Sequence, residues 1–452
     1  MQTPVSLKVG LEIHIYPKTG CKMFCRCSAS FLDAPPNTNI CPVCTGQPGS
    51  KPMPPNLSAL TAALQISDIF GMSLSPYPVV TLRKHYFYPD LPSNYQRTSG
   101  PVATGGRIGS CRLREIHFEE DPGQYDISKG KVDFNRSGVP LLELVTEPDI
   151  ASAAEARRLL VDLLFALEYL EVSREEMPFK VDTNISLNGG RRVEIKNINS
   201  LNGVVKSVEY ETERQLSVIE SGGTVEQETR HFDPISGTTV SLRYKESVED
   251  YRYLPDPDIL PVDVSGLDYV RRENPFLILR KMTDHGVHEP DARTVVVDRN
   301  LLRLYEFLAA RTDPKFASVF VARDVKSELN YRSLPSSFLP GIQEGILQIA
   351  SNYSLSKLSN QNATLLLRAL FDGSPIEAKL RDFTENWFGP EHIAETVAKV
   401  ISENTDAAER YRQGRKEVIN FLVGQCMRRL HGKAKPQEVM REIAKALDGI
   451  QR

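Results

Sequence analysis

This 452-residue sequence lacks the short glycine-rich motifs by which many enzymes hold a nucleotide. It contains no G-x-x-x-x-G-K-[ST] phosphate loop and no G-x-G-x-x-G turn, which excludes a P-loop and a Rossmann nucleotide site. A G-x-S-x-G nucleophile elbow is also absent. If the protein uses a nucleotide, carboxylate-held Mg²⁺ and basic side chains must handle its phosphates.

Long apolar runs and a strong net charge are missing as well. No run approaches the roughly eighteen apolar residues of a membrane helix, and the start has no signal-peptide pattern. We therefore expect a soluble cytoplasmic protein without a membrane partner. The formal net charge of −3 argues against a globally basic nucleic-acid coat, but it leaves room for a local basic patch.

Cysteine is scarce and unevenly placed. Five of the seven cysteines precede residue 45, a distribution that indicates a metal site and not a secreted disulfide framework. Cys25-x-Cys27 and Cys41-Pro-Val-Cys44 have the paired spacing of a four-cysteine zinc site, so we predict structural Zn²⁺ within 21–44. Cys21 is a fifth thiol that could replace one of the four, and the spacing leaves that choice open.

The stretch 8–16 alternates polar and apolar residues with the period of a half-buried β-strand. Glu12 and His14 therefore share one face, with α-carbons about 6.6 Å apart. A carboxylate and an imidazole that converge there could hold a divalent cation or transfer protons. An ordinary surface strand would show the same pattern.

Further acidic residues favour the same chemistry. Glu143 lies inside the apolar run 139–145, and a buried carboxylate costs on the order of several kcal/mol unless it meets a cation, a proton or an arginine. Glu119 and Glu120 end a second alternating segment, where an acidic surface turn is the alternative interpretation.

The character of the sequence changes near residue 290. Alternating strands dominate before it, whereas helical patterns dominate after it, so the predicted fold class is α+β. We predict a β-rich domain over 1–290, an all-α domain over 291–405 and a small helical tail over 406–452. The charged, proline-containing segment 227–258 is predicted to be a functional loop more than a core strand.

The tail is basic although the chain as a whole is slightly acidic. Residues 414–452 carry nine Lys or Arg against four Asp or Glu, a net charge of +5. Such asymmetry is typical of a nucleic-acid contact, and a solvated helix face is the alternative. The candidate nucleic-acid-binding residues, which would bind tRNA if the family resemblance described below holds, are Arg415, Lys416, Arg428, Arg429, Lys433 and Lys435.

Taken together, these features resemble the B subunit of the aspartyl/glutamyl-tRNA(Asn/Gln) amidotransferases. The resemblance runs from residue 7 to about 441, and its segments occur in the family's order. The matching segments are GLEIH at 10–14, RKHYFYPD at 83–90, HFEED at 117–121, VDFNR at 132–136, PLLE at 140–143, EPD at 147–149, VEIKN at 193–197, DYRY at 250–253 and GQ at 424–425.

The resemblance implies an ATP-dependent ligase of translation that acts on tRNA mischarged with Glu or Asp. The side-chain carboxylate is phosphorylated by ATP, and ammonia then displaces phosphate to give Gln-tRNA(Gln) or Asn-tRNA(Asn). In this family the amidase (A) subunit releases the ammonia from glutamine, and the small (C) subunit clamps the other two. The implied fold is a β-rich cradle, a helical domain and a helical tail similar to the YqeY protein.

The family's metal-binding kinase residues correspond to Glu12, His14, Glu143 and either Glu119 or Glu120, of which strand alternation favours Glu119. The resemblance therefore implies Mg²⁺ at these positions. Histidine is an unusual ligand for so hard an ion, which leaves His14 to act through water or at a second metal position.

Other functional residues of the family also have counterparts in this chain. Lys84 matches the lysine that lines the ammonia gate. The zinc cysteines occur in only part of the family, so the zinc prediction depends on their spacing here. Further residues of the cradle site, without individual roles, correspond to Asp182, Asn184, Glu194, Lys196 and Asn197.

Two alternative assignments explain part of the pattern. The E subunit of the Glu-specific archaeal enzyme shares the cradle but carries an inserted domain, for which 452 residues leave no room. A non-catalytic zinc-containing RNA-binding protein would need the cysteines and the basic tail, but not Glu12, His14 and Glu143. The sequence does not decide whether Glu-tRNA, Asp-tRNA or both are substrates.

Overall fold

The computed structural model describes residues 6–126, 128–244, 252–385, 389–430 and 434–448, without the side chains of Asn197, Arg243, Tyr244 and Glu385. The chain divides into two compact units, Met1–Asn274 and Pro275–Arg452, and we describe each by itself. The first unit is rich in strands and the second is helical, which confirms the predicted α+β class. The three-part division at 290 and 405 stays a prediction.

The first unit is built on one large sheet flanked by three helices. Its helices are α1 Leu57–Ile69, α2 Ala153–Leu170 and α3 Leu201–Glu220. Its strands are β1 Leu7–Ile15, β2 Ser73–Leu74, β3 Thr81–His85, β4 Tyr95–Ser99, β5 Ala103–Thr104, β6 Arg107–Ile108, β7 Cys111–Glu120, β8 Gln124–Asp126, β9 Lys131–Asp133, β10 Pro140–Thr146, β11 Phe179–Leu187, β12 Val193–Ile198, β13 Glu228–Asp233, β14 Thr238–Tyr244 and β15 Arg252–Pro255.

The main path of the sheet runs β14-β13-β12-β11-β1-β10-β7-β4-β3-β15, and β8 pairs with β9 in a separate ribbon. Neighbouring strands are antiparallel except β12 and β13, which are parallel. Strand β1 lies near the centre, and its apolar side chains Val9, Leu11, Ile13 and Ile15 are buried. Helix α1 packs on β7 and β10 and helix α3 on β11, so the sheet separates an apolar, helix-covered face from a polar one.

Short polar signals fix the ends of several elements. The Asn56 side chain accepts from the backbone N–H groups of Ser58 and Ala59 and so caps α1. Ser152 caps α2 in the same way. Asn188 and Gly189 have φ of 50° and 73°, the left-handed pair that turns β11 back into β12. Each of these signals involves only residues that are neighbours in sequence.

The prediction of a functional loop over 227–258 is wrong for the part that the structure describes. Strands β13, β14 and β15 fall within it, and residues 245–251, including Asp250 and Tyr251, lie outside the described residues. The charges that suggested a loop are structural: Asp256 is buried and accepts hydrogen bonds from Arg83 at 2.9 Å and Arg97 at 2.8 Å. Charge density alone does not separate a loop from a strand whose charges are paired.

The second unit is helical throughout the part of it that the structure describes. A π-helical turn over Phe320–Val325 and 3-10 turns over Ser336–Gly341 and Lys416–Val418 interrupt the α-helices. The helices are α4 Pro275–Asp284, α5 Glu289–Val296, α6 Arg299–Ala309, α7 Pro314–Val319, α8 Lys326–Arg332, α9 Gln343–Ser354, α10 Asn360–Phe371, α11 Glu377–Glu385, α12 Pro390–Glu403, α13 Thr405–Arg412, α14 Ile419–Arg429 and α15 Pro436–Asp448.

The last helices of the second unit share a core of their own. Val397 on α12, Leu422 on α14 and Ile443 on α15 belong to one cluster of buried side chains. Among the described residues, no helix is both long and apolar enough to cross a membrane.

Candidate active site and metal centre

The register of β1 brings distant polar residues together on one face of the sheet. His14 lies opposite Glu143 on β10 and opposite Lys180 on β11, and Glu12 lies opposite Asp182. Residues directly opposite each other in an antiparallel pair share a face. The polar alternation of β1 thus continues across its neighbours, and we call this surface the cradle face.

The cradle face gathers two overlapping sets of possible metal ligands around His14. One set is Glu12, His14 and Asp182, and the other is His14, Glu119 and Glu143; within each set the ligand atoms lie within 4.8 Å of one another. The His14 Nε2 atom is 3.8 Å from Glu12 Oε1 and 4.0 Å from Glu119 Oε2. A carboxylate-rich cluster of this kind could hold one or two divalent cations.

The carboxyls of Glu119 and Glu143 hold their protons differently. Burial, followed by the charges of Glu119 and Glu12, raises the pKa of Glu143 well above its ordinary value. Burial also acts to raise the pKa of Glu119, but the charges of Lys84 and His14 outweigh it and the pKa is lowered. The two shifts favour a shared arrangement in which the Glu143 carboxyl holds the proton and donates a hydrogen bond to the Glu119 carboxylate, which also accepts from Gln96 Nε2 at 3.3 Å.

Lys84 lies on the same face at the far side of the acidic cluster. It pairs with Gln96 across β3 and β4, and β4 in turn pairs with β7 beside Glu119. Burial acts to lower the pKa of Lys84, yet Glu119, Tyr253 and Glu143 raise it above its ordinary value. The residue is therefore an ammonium ion balanced chiefly by the Glu119 carboxylate.

The remaining predicted cradle residues form a group on β11 and β12. Lys196 Nζ lies 3.1 Å from Asp182 Oδ2 and 3.3 Å from Glu194 Oε1, and Thr229 donates to Glu194 at 3.2 Å. Asn184 lies opposite Glu194, and its side-chain oxygen is buried without a hydrogen-bond partner among the described residues. The side chain of Asn197 lies outside the description.

Glu119 and Glu120 point to opposite faces of β7, as consecutive residues of a strand must. Glu120 accepts from the backbone N–H of Arg97 at 3.2 Å and lies 3.2 Å from its guanidinium. Burial raises the pKa of Glu120, an effect that Arg97 opposes. Glu120 is thus placed in an ion pair behind the cradle face, and Glu119 is the member of the pair that reaches His14.

Sequence reasoning missed two residues of the cradle face. His117 lies opposite Glu143; its Nδ1 is 2.8 Å from the Ser99 carbonyl and its Nε2 is 3.3 Å from Glu115. Lys180 lies opposite His14, with its ammonium 5.2 Å from the ring centroid of Tyr16. The alternation of β11 already put Lys180 beside Asp182, but only the register with β1 shows that it borders the acidic cluster.

The four predicted cysteines form a second, separate cluster. The Sγ atoms of Cys25, Cys27, Cys41 and Cys44 lie within 4.8 Å of one another, while Cys21 is exposed and outside the group. All seven cysteines of the chain are free thiols. Four converging sulfurs are the donor set of a structural zinc site, so this cluster could bind a metal.

The electrostatics of the cysteine cluster favour one thiolate, that of Cys44, even before a metal binds. A hydrogen bond from Cys25, opposed by burial and aided by Lys22, lowers the pKa of Cys44 to about 5. Burial, followed by a hydrogen bond with Cys41, raises the pKa of Cys27 to about 11. The buried Lys22 ammonium lies 3.4 Å from Cys44 Sγ and also donates to the Phe134 carbonyl at 3.1 Å.

Acidic neighbours partly neutralise the basic tail. Arg429 forms an ion pair with Glu403, and Lys416 Nζ lies 3.3 Å from Asp448. Lys435 lies 3.5 Å from Glu438. Arg415 and Arg428 are exposed, and Lys433 lies outside the described residues. The number of cations free to meet a nucleic acid is smaller than the sequence count suggests.

The strand-rich unit with its acidic cluster and the helical second unit correspond to the two domains of one class of amidotransferase subunit. Residues 7–268 match the family model described as the GatB/GatE catalytic domain, and residues 303–447 match the one described as the GatB domain. The first match is common to two kinds of subunit, and the second indicates which of them the helical unit resembles.

Full-length relatives complete the assignment. A protein of Methanothermobacter thermautotrophicus, named as the B subunit of an aspartyl/glutamyl-tRNA(Asn/Gln) amidotransferase, is 43% identical over 448 residues, which cover 97% of this chain and 99% of that protein. One of the same name from Methanopyrus kandleri is 40% identical over 98% of this chain and 99% of its own length. The chain belongs to the family of aspartyl/glutamyl-tRNA(Asn/Gln) amidotransferase B subunits, which confirms the resemblance. It is thus one component of a multi-subunit enzyme.

Proposed function

We propose that this chain carries out the ATP-dependent amidation of Glu-tRNA(Gln), Asp-tRNA(Asn) or both. ATP phosphorylates the side-chain carboxylate of the mischarged amino acid and leaves as ADP, and ammonia from a glutaminase subunit then displaces phosphate. The partners in this proposal are the amidase (A) subunit, the small (C) subunit and the mischarged tRNA, in the cytoplasm. The observation that carries it is the cluster of Glu12, His14, Glu119 and Glu143 on the cradle face.

The donor atoms of this cluster fit Mg²⁺, since they are mainly carboxylate oxygens. When bound, Mg²⁺ would neutralise the phosphate and the substrate carboxylate, two anions that otherwise repel each other. We assign Glu12, Glu119 and Glu143 as its holders. His14, which belongs to both ligand sets, is suited to a second position shared with Asp182.

Two lysines border the proposed kinase centre in different roles. Lys84, whose charge the Glu119 carboxylate balances, is the candidate residue of the ammonia gate. Lys196 ties Asp182 to Glu194 and so fixes the carboxylate that faces Glu12. Both roles are positional and need no proton transfer.

Further proposals concern parts outside the kinase centre. We assign structural Zn²⁺ to the four cysteines, because the cluster is compact and holds two distant pairs of residues together. We also assign tRNA binding to the basic tail within 406–452. In this assignment the tail follows, along the chain, a cradle domain over 1–290 and a helical domain over 291–405. The exposed Arg415 and Arg428 support the tail assignment.

The kinase assignment is tested in the reconstituted complex by Glu12→Gln and Glu143→Gln. Each should lower ATP-dependent amidation by roughly a hundredfold or more, because each removes a carboxyl group that would hold the Mg²⁺ that positions the reacting phosphate. Binding of mischarged tRNA should persist. The measurement is product formation with separately prepared Glu-tRNA(Gln) and Asp-tRNA(Asn), which also decides the substrate.

Glu120→Gln is the matched control, since this glutamate is adjacent in sequence but faces away from the cluster. It should leave the chemical step in place while it weakens the ion pair with Arg97. Normal turnover of Glu12→Gln or Glu143→Gln would refute the kinase assignment and favour the RNA-binding alternative.

A further inference from the structure

Lys180 differs from the other two lysines of the cradle face because no carboxylate among the described residues lies within ion-pair distance of it. Lys196 pairs with Asp182 and Glu194, and the Glu119 carboxylate balances Lys84. The Lys180 ammonium lies 5.2 Å from the ring centroid of Tyr16, and Asp121 and Asp182 act on it only from a greater distance, so that burial lowers its pKa. A cation over a ring is attracted to it, but this replaces little of the lost hydration.

A second cation with incomplete partners lies close to the same ring. Arg174 is stacked over Phe31, with 5.6 Å from its guanidinium carbon to the ring centroid, and the Phe31 and Tyr16 rings are 6.0 Å apart. The Arg174 Nη2 group donates to the Ala29 carbonyl, but its Nε is buried with no hydrogen-bond partner among the described residues. Two cations thus flank one aromatic pair.

The carboxylate nearest to this corner is already engaged. Asp121 accepts a hydrogen bond from the Tyr16 hydroxyl at 2.7 Å and lies 3.4 Å from Arg136. Its charge opposes the lowering of the Lys180 pKa by burial, but it forms no ion pair with Lys180. The corner formed by Lys180, Arg174, Tyr16 and Phe31 carries a surplus of positive charge beside a cluster rich in negative charge.

The strand order places this corner opposite Lys84. Along the sheet the order is β11, β1, β10, β7, β4 and β3, so Lys180 on β11 and Lys84 on β3 lie on either side of the acidic cluster. If ammonia arrives beside Lys84, the carboxylate that it attacks must lie on that side. The phosphate donor then approaches from the other side, as an in-line transfer requires.

We propose that Lys180 is a nucleotide-binding residue that contacts a phosphate oxygen of ATP. Arg174, on the other side of the Tyr16 and Phe31 rings, adds a second positive charge to the same corner. The proposal rests on the proposed function, because it takes ATP as the substrate of the cradle face. A lysine acts as a point charge for phosphate. An ammonium that forms no ion pair can bind a phosphate group without first breaking such a pair. This supplies the phosphate contact that the missing glycine-rich loops would otherwise provide.

The test compares Lys180→Met and Lys180→Arg in the complete complex. Lys180→Met should raise the KM for ATP by roughly tenfold or more and weaken binding of ADP in calorimetry by a similar factor, because a charged contact is lost. Adenosine should bind wild type and variant equally. Lys180→Arg keeps the charge and should retain most of the nucleotide affinity.

Lys206→Met, at an exposed lysine on α3, is the matched control and should leave ATP and tRNA kinetics unchanged. Unchanged KM for ATP and unchanged ADP affinity in Lys180→Met would overturn the proposal. A higher KM for mischarged tRNA alone would assign Lys180 to the substrate carboxylate, and equal loss in Lys180→Arg with a lower melting temperature would assign it to structure. Failure of the proposed function itself would appear separately, as normal amidation by Glu12→Gln.

Discussion

The proton on Glu143 links the chemistry of the cradle face to the stability of the fold. The unfolded chain releases this proton near the ordinary pKa of glutamate, about 4.3. The folded protein keeps it to higher pH, because burial and the charges of Glu119 and Glu12 raise the pKa. Folding therefore binds a proton here, and the contribution of Glu143 to stability falls as pH rises above the unfolded value.

Glu143→Gln should consequently stabilise the metal-free protein more at pH 8 than at pH 5.5. The amide cannot ionise, so it keeps a neutral group where the wild type must hold a proton. The measurement is the free energy of unfolding of both proteins in magnesium-free buffer at the two pH values. A stability difference that does not change with pH would contradict the assigned protonation of Glu143.

Single residues also show what a sequence conveys and what it omits. The alternation in β1 was enough to put Glu12 and His14 on one face, and the apolar run around Glu143 was enough to predict an unusual carboxyl. Between Glu119 and Glu120, the alternation of the sequence favoured Glu119 without excluding Glu120, and the pairing of β7 with β10 shows that Glu119 is the one on the face of His14. The position of Lys180 needed the register between β1 and β11, which no local pattern contains.

Among elements, the segment that holds the cysteines has little regular structure of its own. Between β1 and α1 the described chain runs through turns and bends with two isolated bridges, at Pro17 and between Cys21 and Ser28. Its order therefore depends on contacts such as those of Lys22 and of Ser137, which donates to the Cys44 carbonyl at 2.8 Å. A bound metal would add a strong link between its two ends.

Cys41→Ser should accordingly abolish metal binding at this cluster and lower the melting temperature of the first unit. Cys21→Ser is the matched control, because this cysteine is exposed and lies outside the group of four. Metal analysis of the purified proteins and thermal unfolding provide the measurements. Loss of metal in Cys21→Ser with retention in Cys41→Ser would move the ligand set to include the fifth thiol.

Elements with strong local signals can be predicted from the sequence, whereas elements set by distant partners cannot. The caps of α1 and α2 and the Asn188-Gly189 turn follow from neighbouring residues. Strand β15 does not: its place beside β3 depends on Arg83 and Arg97 reaching Asp256 across the sheet. A charged segment resembles a loop until its partners, far away in sequence, are known.

For the whole molecule, the basic tail offers a test that separates its cations from one another. Arg428 is exposed, whereas Arg429 is held by Glu403. If the tail binds tRNA, Arg428→Ala should lower the slope of log affinity against log salt by about 0.7–0.9, the value for one phosphate contact. Arg429→Ala should change the slope less.

The comparison is made on the complete complex by measuring tRNA binding at several salt concentrations. Glu403→Gln is the complementary variant, since it releases Arg429 and should steepen the dependence. Identical slopes in all four proteins would favour a solvated helix face in place of a tRNA contact.

The position of β1 in the sheet has a consequence for how the protein is made. This strand is synthesised before both of its neighbours, which are β10 at Pro140–Thr146 and β11 at Phe179–Leu187. During synthesis, both edges of β1 remain unpaired and its apolar side remains exposed until more than a hundred further residues have left the ribosome. Pairing over such separations is slow and leaves apolar strands open to aggregation. We therefore expect the cradle face to close late in synthesis, with a dependence on chaperones that a helical unit of similar size would not share.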